Sequence, residues 1–492
     1  MKKKIFYFST LLITILCLFI CIALNDHIYN FNAENVVKNI KYLSSSSFEG
    51  RRSGSNENLL VGEIIKNKFK DLKLSPYKNN YIEEFITTCP VKTDETVYFK
   101  IFDDNESEYL KYGEDYREDM INFNASSFTF SNKDKINIFS TSIEVSNDEG
   151  TLLFYLSQND DLSFRSSFMC ELRFDLVIAL SSKGYNKIID ALKNGKTLTT
   201  YIPFKNEDKK LVNIQGIIEG SDQSLAPLVL TAHFDHLGSD SQNNIYYGAL
   251  DNASGTSFLL ELANTLSTFG KPKRSIIFVA LNAEELGLKG SNFFAENNYF
   301  DIKNSKVINF DMIGAKDCPI TFIQGVAFKG NSSNILNSLS NICSNDSIEY
   351  LVEYENSSDH ASFNELGIDA LTICHSDTSH IHTPTDTVDY IDTDAINTVY
   401  KVVNKEIKKD CYSTVTTFIY SRKSINLLLI ILLALIIIGI LNTKPFKKSS
   451  WFLELTSAYI PTLMHLIKSS QVKYNGIKKS HYTFYFCASC FK

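Results

Sequence analysis

The stretch IIFVALNAEELGLKGS, from Ile276 to Ser291, combines a strand of the core with two adjacent carboxylates. Its first six residues, 276–281, are uniformly apolar, which is typical of a strand covered on both faces. Glu284 and Glu285 follow, just before a glycine-containing turn. Two like charges at the end of a buried strand repel each other, so the pair indicates a compensating positive charge nearby.

The sequence around this stretch alternates between strand-like and helix-like runs. The predicted strands are 211–218, 227–233, 275–281, 305–311, 320–325 and 369–374. The predicted helices are 255–270, 286–298, 331–343 and 392–409. This alternation predicts an α/β domain with a mostly parallel central sheet and helices on both faces. Ligands bind to such sheets at the carboxyl ends of the strands.

The sequence before this alternation has two parts. Residues 25–91 contain two predicted helices separated by the turn SSSSFEGRRSGS. We expect them to form the amino-terminal part of the α/β domain. Residues 92–205 contain short alternating runs such as TVYFKIF and GTLLFYL, which predict a β-rich insert. We assign the core of the α/β domain to residues 206–412.

Two segments are too apolar for ordinary globular sequence. Residues 1–24 carry three lysines and then about 20 mostly apolar residues, which predicts a signal peptide or an uncleaved signal anchor. Residues 425–441 are apolar on every side and predict a transmembrane helix. Basic residues flank both segments, which predicts a cell-membrane protein with residues 25–420 outside the cytoplasm and a cytoplasmic tail at 442–492.

Charge and cysteine content limit the partners and the redox chemistry. The net charge is −7 and no basic stripe is present, which argues against a nucleic-acid partner. Outside the apolar segments and the tail, the cysteines are scattered, and we assign no disulfide among them. The pair Cys487 and Cys490 forms a lone C-x-x-C, a weak signal for zinc or redox chemistry. The sequence does not determine the oligomeric state.

Ligand-type side chains follow the predicted strands or lie in a loop before a helix. They are His233, Asp235, Asp251, Glu284, Glu285, Asp311, His375, His380 and His382. Imidazole and carboxylate together suit Zn²⁺, with Mn²⁺ or Co²⁺ as alternatives. Five good candidates and a spare acid predict two ions, because one carboxylate can bridge two cations.

Each of these residues also has a purely structural explanation. Asp251 or Asn252 could cap the next helix, Asp311 could start a turn, and the two glutamates could form a solvated helical turn. Five separate strand ends and loops nevertheless supply ligand-type groups to one edge of one sheet. That conjunction favours a metal site.

The motifs TAHFDHLG, GALDNASGT, ALNAEELGLKGS, NFDMIG and HIHTPTDT, in this order, resemble those of a family of zinc aminopeptidases. This family is related to bacterial leucyl aminopeptidases, aminopeptidase Y and glutamate carboxypeptidase II. The resemblance covers about 211–405 and extends weakly to FEGRRSGSNEN. It implies a zinc exopeptidase-like fold, peptide substrates and two zinc ions per chain. The insert matches the position where the family often carries a protease-associated β domain.

The resemblance also implies how five residues would hold the metal. His233 and Asp311 would bind one zinc, and Glu285 and His382 would bind the other. Asp251 would bridge both ions.

The remaining roles follow from the same resemblance. Asp235 would orient the imidazole of His233, and Glu284 would be the general base that takes a proton from the attacking water. Ile381 occupies the position where many family members have a tyrosine that stabilises the oxyanion, so this partner is unassigned; His380 is one alternative. We expect His236, Asp359 and His360 to be structural.

The predicted function is that of an aminopeptidase. Two alternatives stay open: a single-zinc acyltransferase similar to glutaminyl cyclases, and a non-catalytic ectodomain on a peptidase-like scaffold. Retention of every ligand and of the base argues against the non-catalytic alternative. A preference for acidic carboxy-terminal residues would need a basic pocket, and no arginine cluster lies near the motifs.

Overall fold

A computed structural model describes residues 2–442 of the chain. These residues form two compact units, one of residues 2–20 and 425–442 and the other of residues 21–424. The predicted cytoplasmic tail from residue 443 onward, with Cys487 and Cys490, lies outside the described residues.

The amino-terminal part is helical and leads into a long strand. Its elements are α1 (Lys2–Asp26), α2 (Ala33–Leu43), α3 (Asn56–Asp71), β1 (Ser75–Pro76) and β2 (Ile82–Lys92). The side chain of Asn32 caps α2, and the side chain of Ser55 caps α3, each by accepting a backbone hydrogen bond. Both helices bury apolar residues at helical spacing against the core, which explains why they form here.

The next region is rich in short strands. Its elements are β3 (Tyr98–Phe102), β4 (Ser107–Tyr109), β5 (Tyr116–Phe123), β6 (Ser127–Phe130), β7 (Lys135–Ile138), β8 (Ser142–Asn147), β9 (Gly150–Leu156), β10 (Leu176–Leu180), α4 (Ser182–Lys193) and β11 (Thr197–Tyr201). They form a five-stranded sheet, β5-β10-β9-β8-β7, and a four-stranded sheet, β4-β3-β11-β6. Buried phenylalanines such as Phe99, Phe128 and Phe154 fill the core of this β-rich region.

The remaining described residues, 204–442, alternate strands with helices. Its elements are β12 (Phe204–Ile218), β13 (Leu228–His233), α5 (Gly255–Thr268), β14 (Ile276–Leu281), α6 (Lys289–Asn297), α7 (Tyr299–Ile302), β15 (Lys306–Phe310), β16 (Ile320–Gln324), α8 (Asn334–Asp346), β17 (Tyr350–Tyr354), α9 (His360–Glu365), β18 (Asp369–His375), α10 (Thr393–Cys411), α11 (Thr414–Ile419) and α12 (Arg422–Asn442).

The central sheet is mixed, which corrects the prediction of a mostly parallel sheet. Its order is β1-β12-β14-β13-β15-β18-β16-β17, and β2 also pairs with β12. The pairs β13–β14, β13–β15, β15–β18 and β16–β17 are parallel. The pairs β1–β12, β2–β12, β12–β14 and β16–β18 are antiparallel. The antiparallel strands arise because β12 returns from the β-rich region along β2, and because β16 runs backwards beside β18.

Four adjacent strands at the centre of the sheet, β14-β13-β15-β18, are nevertheless parallel to one another. Their apolar residues are buried on both faces of the sheet. His233 pairs with Leu281, and Phe310 pairs with Ile373, so these strands end at nearly the same level. The residues that follow them therefore meet at one edge of the sheet.

The terminal helices differ from the others in composition. Helices α1 and α12 are each long and apolar enough to cross a membrane, and most of their surface is exposed. Within the unit they form, the hydroxyl of Tyr7 donates to the backbone carbonyl of Leu435 at 2.8 Å. Their bounds include the predicted apolar segments, while membrane insertion itself stays a proposal.

Candidate metal centre

A first group of metal-ligand atoms lies where β13 and β15 end. His233 is the last residue of β13, Asp311 follows β15, and Asp251 lies in the turn before α5. The Nε2 atom of His233 is 3.5 Å from Asp251 Oδ1 and 3.4 Å from Asp311 Oδ1. These ligand atoms all lie within 4.8 Å of one another, close enough to share one metal ion.

A second group lies beside the first and shares Asp251 with it. The Nε2 atom of His382 is 3.2 Å from Asp251 Oδ2 and 3.3 Å from Glu285 Oε1. The two carboxylate oxygens of Asp251 therefore face different groups, as a bridging carboxylate requires. All five residues predicted as ligands come together at this edge of the sheet.

His236 also lies in the second group, which the sequence analysis did not predict. Its Nδ1 atom is 3.0 Å from Glu285 Oε1 and 3.7 Å from Asp251 Oδ2, and its side chain is buried. The ring packs closely against Gly248, where an added Cβ would be 2.5 Å from the ring atoms. The second histidine of TAHFDHLG was the signal available in the sequence.

The buried atoms of the site fit a cation. Nε2 of His233 and Oδ1 of Asp311, which are 3.4 Å apart and face the first group, are buried and have no hydrogen-bond partner among the described residues. Buried polar atoms are rarely left unpaired, so such a cluster of nitrogen and oxygen atoms indicates a bound ion. Imidazole nitrogens and carboxylate oxygens are the ligands that zinc takes in hydrolytic sites.

Asp235 links the first group to the two adjacent glutamates. Its carboxylate accepts hydrogen bonds from the hydroxyl of Ser53 at 2.9 Å and from the backbone N–H groups of Glu284 and Glu285 at 3.2 and 3.3 Å. Its Oδ1 atom is 3.7 Å from Nδ1 of His233, longer than a hydrogen bond. Asp235 thus holds the turn that carries the glutamates and lies beside the imidazole it is predicted to orient.

Two further residues form hydrogen bonds that hold the predicted carboxylate ligands in place. The hydroxyl of Ser358 donates to Oδ2 of Asp311 at 2.7 Å. The carboxylate of Asp386 accepts from the backbone N–H groups of Leu250 and Asp251 at 2.8 and 3.0 Å. Hydrogen bonds of this kind orient ligands around a metal.

Arg51, from the segment FEGRRSGSNEN, holds the backbone around the site. Its fully buried guanidinium donates to the carbonyls of Phe234 at 3.0 Å, Leu43 at 3.0 Å, Tyr247 at 2.7 Å and Gly248 at 2.9 Å. Three of these carbonyls belong to the segments that carry His233 and Asp251. The segment FEGRRSGSNEN, to which the resemblance extends weakly, therefore contacts the backbone that carries the site.

The charges of the site perturb its ionisable groups. Burial lowers the pKa of His233, but the negative charges of Asp311 and Glu284 outweigh it and hold that pKa well above its ordinary value. Burial also disfavours the charged form of Glu285, yet His382 and His236 hold its pKa well below its ordinary range. Each histidine and carboxylate thus favours the charged form of its neighbour.

Glu284 and Glu285 have different environments although they are adjacent. Glu285 is 1% exposed and faces the histidines of the second group, whereas Glu284 is partly exposed. Burial and the charge of Glu285 raise the pKa of Glu284 well above its ordinary value, although His233 opposes the shift. The two adjacent glutamates thus differ in position: Glu285 lies among the histidines of the second group, and Glu284 lies at its edge.

The segment around α9 contains an acid that the sequence analysis treated as structural. Asp359 is fully buried, and neither carboxylate oxygen has a hydrogen-bond partner among the described residues. Burial is the main reason that its pKa is raised to about 7. His360 contacts Thr372 Oγ1 and the carbonyl of Glu355, both at 2.8 Å, which fits a structural role.

The oxyanion partner stays unassigned. The ring of His380 stacks on Tyr390 with centroids 3.9 Å apart, and its Nδ1 lies 2.8 Å from Thr385 Oγ1. These contacts occupy the ring and one of its nitrogens.

Comparison with known proteins gives a family for this region. Residues 213–407 match the model of peptidase family M28. The chain is 30% identical over 238 residues to aminopeptidase YwaD of Bacillus subtilis, covering 44% of this chain and 50% of that protein. It is 30% identical over 165 residues to a vacuolar membrane protease of Kluyveromyces lactis, covering 33% of this chain and 16% of that protein. The solved structure of a zinc aminopeptidase from Bacillus subtilis is similar with a TM-score of 0.56 at 19% identity, covering 78% of this chain and 96% of that one.

These matches define the family of the region that carries the site. The chain spans about half the length of the first of these curated relatives and less of the other. The structural likeness shows a shared fold. The matched range contains both groups of ligand atoms and Glu284. Residues 213–407 therefore form a domain of peptidase family M28.

Proposed function

We propose that the protein is a membrane-anchored zinc aminopeptidase that removes the amino-terminal residue from peptides. The family of the domain and the aminopeptidase among its relatives support this activity. The observation that carries the proposal is Asp251, whose two oxygens lie 3.5 Å from His233 and 3.2 Å from His382. A carboxylate placed between two ligand groups favours a two-metal hydrolase.

Five residues would hold the two metal ions, because Asp251 would serve both. His233, Asp251 and Asp311 would bind one zinc, and Asp251, Glu285 and His382 would bind the other. When bound, zinc supplies Lewis-acid polarisation of the scissile carbonyl and lowers the pKa of water.

Glu284 is the proposed general base. Its partial exposure would let the carboxylate reach a water molecule beside the metal centre, and its raised pKa suits a group that both takes and gives a proton. The carboxylate would accept a proton from the attacking water and deliver it to the leaving amine nitrogen. Asp235 would support this step by holding the backbone of Glu284.

The cellular location is part of the same proposal. Two helices are long and apolar enough to cross a membrane, and one relative is a vacuolar membrane protease. The lysines at the amino terminus and after residue 441 would lie on the cytoplasmic side. The M28 domain would then lie on the extracytoplasmic side of the cell membrane.

A single-zinc cyclase is less well supported. It would need one ligand group, whereas two clusters of ligand-type atoms, His233–Asp251–Asp311 and His236–Asp251–Glu285, lie side by side, and His382 contacts the second.

The test compares the wild-type chain with Glu284→Gln. Both are purified in detergent and assayed with a panel of aminoacyl chromogenic substrates, and zinc is measured in each. We expect the wild type to release the chromophore and the variant to lose about 10²- to 10⁴-fold in kcat, with its zinc content unchanged. Full activity in Glu284→Gln would refute the proposed mechanism. Loss of zinc together with activity would instead make Glu284 a ligand.

A further inference from the structure

A short segment of the β-rich region, residues 163–169, lies against the metal centre; we call it the strap. It has no helix or strand of its own and runs between β9 and β10. Arg165 and Phe168 are fully buried within it. Phe164 is 45% exposed, and its ring stacks on His382 with centroids 5.7 Å apart. The strap thus brings the β-rich region into contact with a proposed zinc ligand.

The strap backbone determines which nitrogen of His382 carries a proton. Nδ1 of His382 lies 3.0 Å from the carbonyl oxygen of Arg165, and the N–H of Arg165 donates to the carbonyl of His382 at 3.1 Å. A carbonyl oxygen can only accept, so Nδ1 must be the protonated nitrogen. In the neutral ring the lone pair then lies on Nε2, which faces Asp251 and Glu285.

The strap also holds the second ligand of this group. The hydroxyl of Ser167 donates to Oε2 of Glu285 at 2.8 Å, and the N–H of Phe168 donates to the backbone carbonyl of Glu285 at 2.7 Å. With Oε2 held in this way, Oε1 faces the ring nitrogens of His236 and His382. A carboxylate with one oxygen fixed loses less rotational freedom when the other binds a metal.

The strap is itself anchored to β5. The carboxylate of Asp119 accepts from the N–H of Ser166 at 2.7 Å and from its hydroxyl at 2.9 Å. The N–H of Met169 donates to the carbonyl of Ile121 at 2.7 Å. Neighbouring serines therefore face different partners: Ser166 binds the β-rich region, and Ser167 binds the proposed ligand.

From these contacts we infer that Ser167 is a positioning residue for Glu285, and that the β-rich region contributes through it to zinc affinity. This inference rests on the proposed function. It makes the β-rich region, through the strap, part of the metal centre. It also distinguishes Ser167 from Ser166, which a purely structural strap would not.

The test measures zinc affinity without using substrate. The full chain, purified in detergent and stripped of metal, is titrated with zinc in competition with a chromophoric chelator. Hydrogen bonds to metal ligands typically change metal affinity by about 10- to 100-fold, so Ser167→Ala is expected to raise the zinc Kd of one site by that factor. Ser167→Thr keeps the hydroxyl and should stay within about threefold of the wild type.

Ser166→Ala is the matched control, because it removes a strap hydroxyl that contacts Asp119 and no proposed ligand, while the N–H of residue 166 still anchors the strap to Asp119. Its zinc Kd should also stay near the wild-type value, and circular dichroism of each metal-free variant checks that it is folded. An unchanged Kd in Ser167→Ala, or equal weakening in Ser166→Ala, would overturn the inference and leave the proposed function intact. A wild-type chain that binds no zinc would overturn the proposed function and, with it, this inference.

Discussion

Arg51 provides a quantitative test of how the site is held. Its guanidinium makes four hydrogen bonds to buried or nearly buried backbone carbonyls, including those of Phe234, Tyr247 and Gly248. These carbonyls lie next to the segments that carry His233 and Asp251. Substitution of Arg51 should therefore affect both stability and the geometry of the first ligand group.

The size of the effect follows from the number of carbonyls left without a donor. A single ammonium group cannot reproduce the planar fork of a guanidinium, so we expect Arg51→Lys to leave about two carbonyls unpaired. Each unpaired buried group costs about 1–3 kcal/mol, which gives a loss of about 2–6 kcal/mol in the free energy of unfolding. Arg51→Met removes every donor, and its larger loss approaches the whole stability of a typical domain, about 5–15 kcal/mol.

Urea denaturation of the detergent-purified chain, followed by far-ultraviolet circular dichroism, measures this loss. Arg52→Lys is a matched control, because Arg52 packs its guanidinium over the ring of Phe204, with Cζ 5.3 Å from the ring centroid. We expect the control to lose about 1 kcal/mol or less. If Arg51→Lys were no more destabilising than Arg52→Lys, the four hydrogen bonds would not hold the site as described.

Two further predictions concern histidines. His382→Ala should lose about one zinc per chain on dialysis. His236→Ala should keep both zinc ions with weaker affinity, since His236 is expected to support Glu285. The reverse pattern in metal analysis would exchange the roles of the two histidines. Burial lowers the pKa of His375 to about 4, from about 6.5 in an unfolded chain. The unfolded chain then binds more protons between these values, so stability falls as the pH drops from about 6.5 to about 4, by at most about 1.4 kcal/mol per pH unit. His375→Asn, which can still accept from the N–H of Gly314, should flatten this dependence in urea titrations at several pH values, and an unchanged slope would contradict the assignment.

The central strands and the proposed ligands were predictable because their signals are local. The predicted strands 227–233 and 275–281 differ from Leu228–His233 and Ile276–Leu281 only at the first residue. Burial on both faces makes such strands uniformly apolar, and polar side chains follow directly at their ends. The rule that parallel strands end at one edge therefore predicted a metal site there, whereas the choice of five ligands came from the resemblance to zinc aminopeptidases.

Other features depend on strand directions and on contacts between distant residues, which a local sequence pattern does not show. The direction of β16 beside β18 leaves no trace in an apolar run, which is why the sheet was predicted to be mostly parallel. Strand β17 was missed because it is a partly exposed edge strand with a glutamate in it. The strap was missed because its contacts join an irregular loop to residues more than 100 positions away, largely through backbone atoms.

The most direct test of the two-metal proposal is the number of zinc ions that the chain binds with and without the carboxylate of Asp251. Full-length wild type and Asp251→Ala are saturated with zinc, dialysed and measured by inductively coupled plasma mass spectrometry. We expect two zinc ions per chain in the wild type and loss of zinc from both groups in the variant, because Asp251 belongs to each. One zinc in the wild type, or two retained in Asp251→Ala, would contradict a bridged two-metal centre.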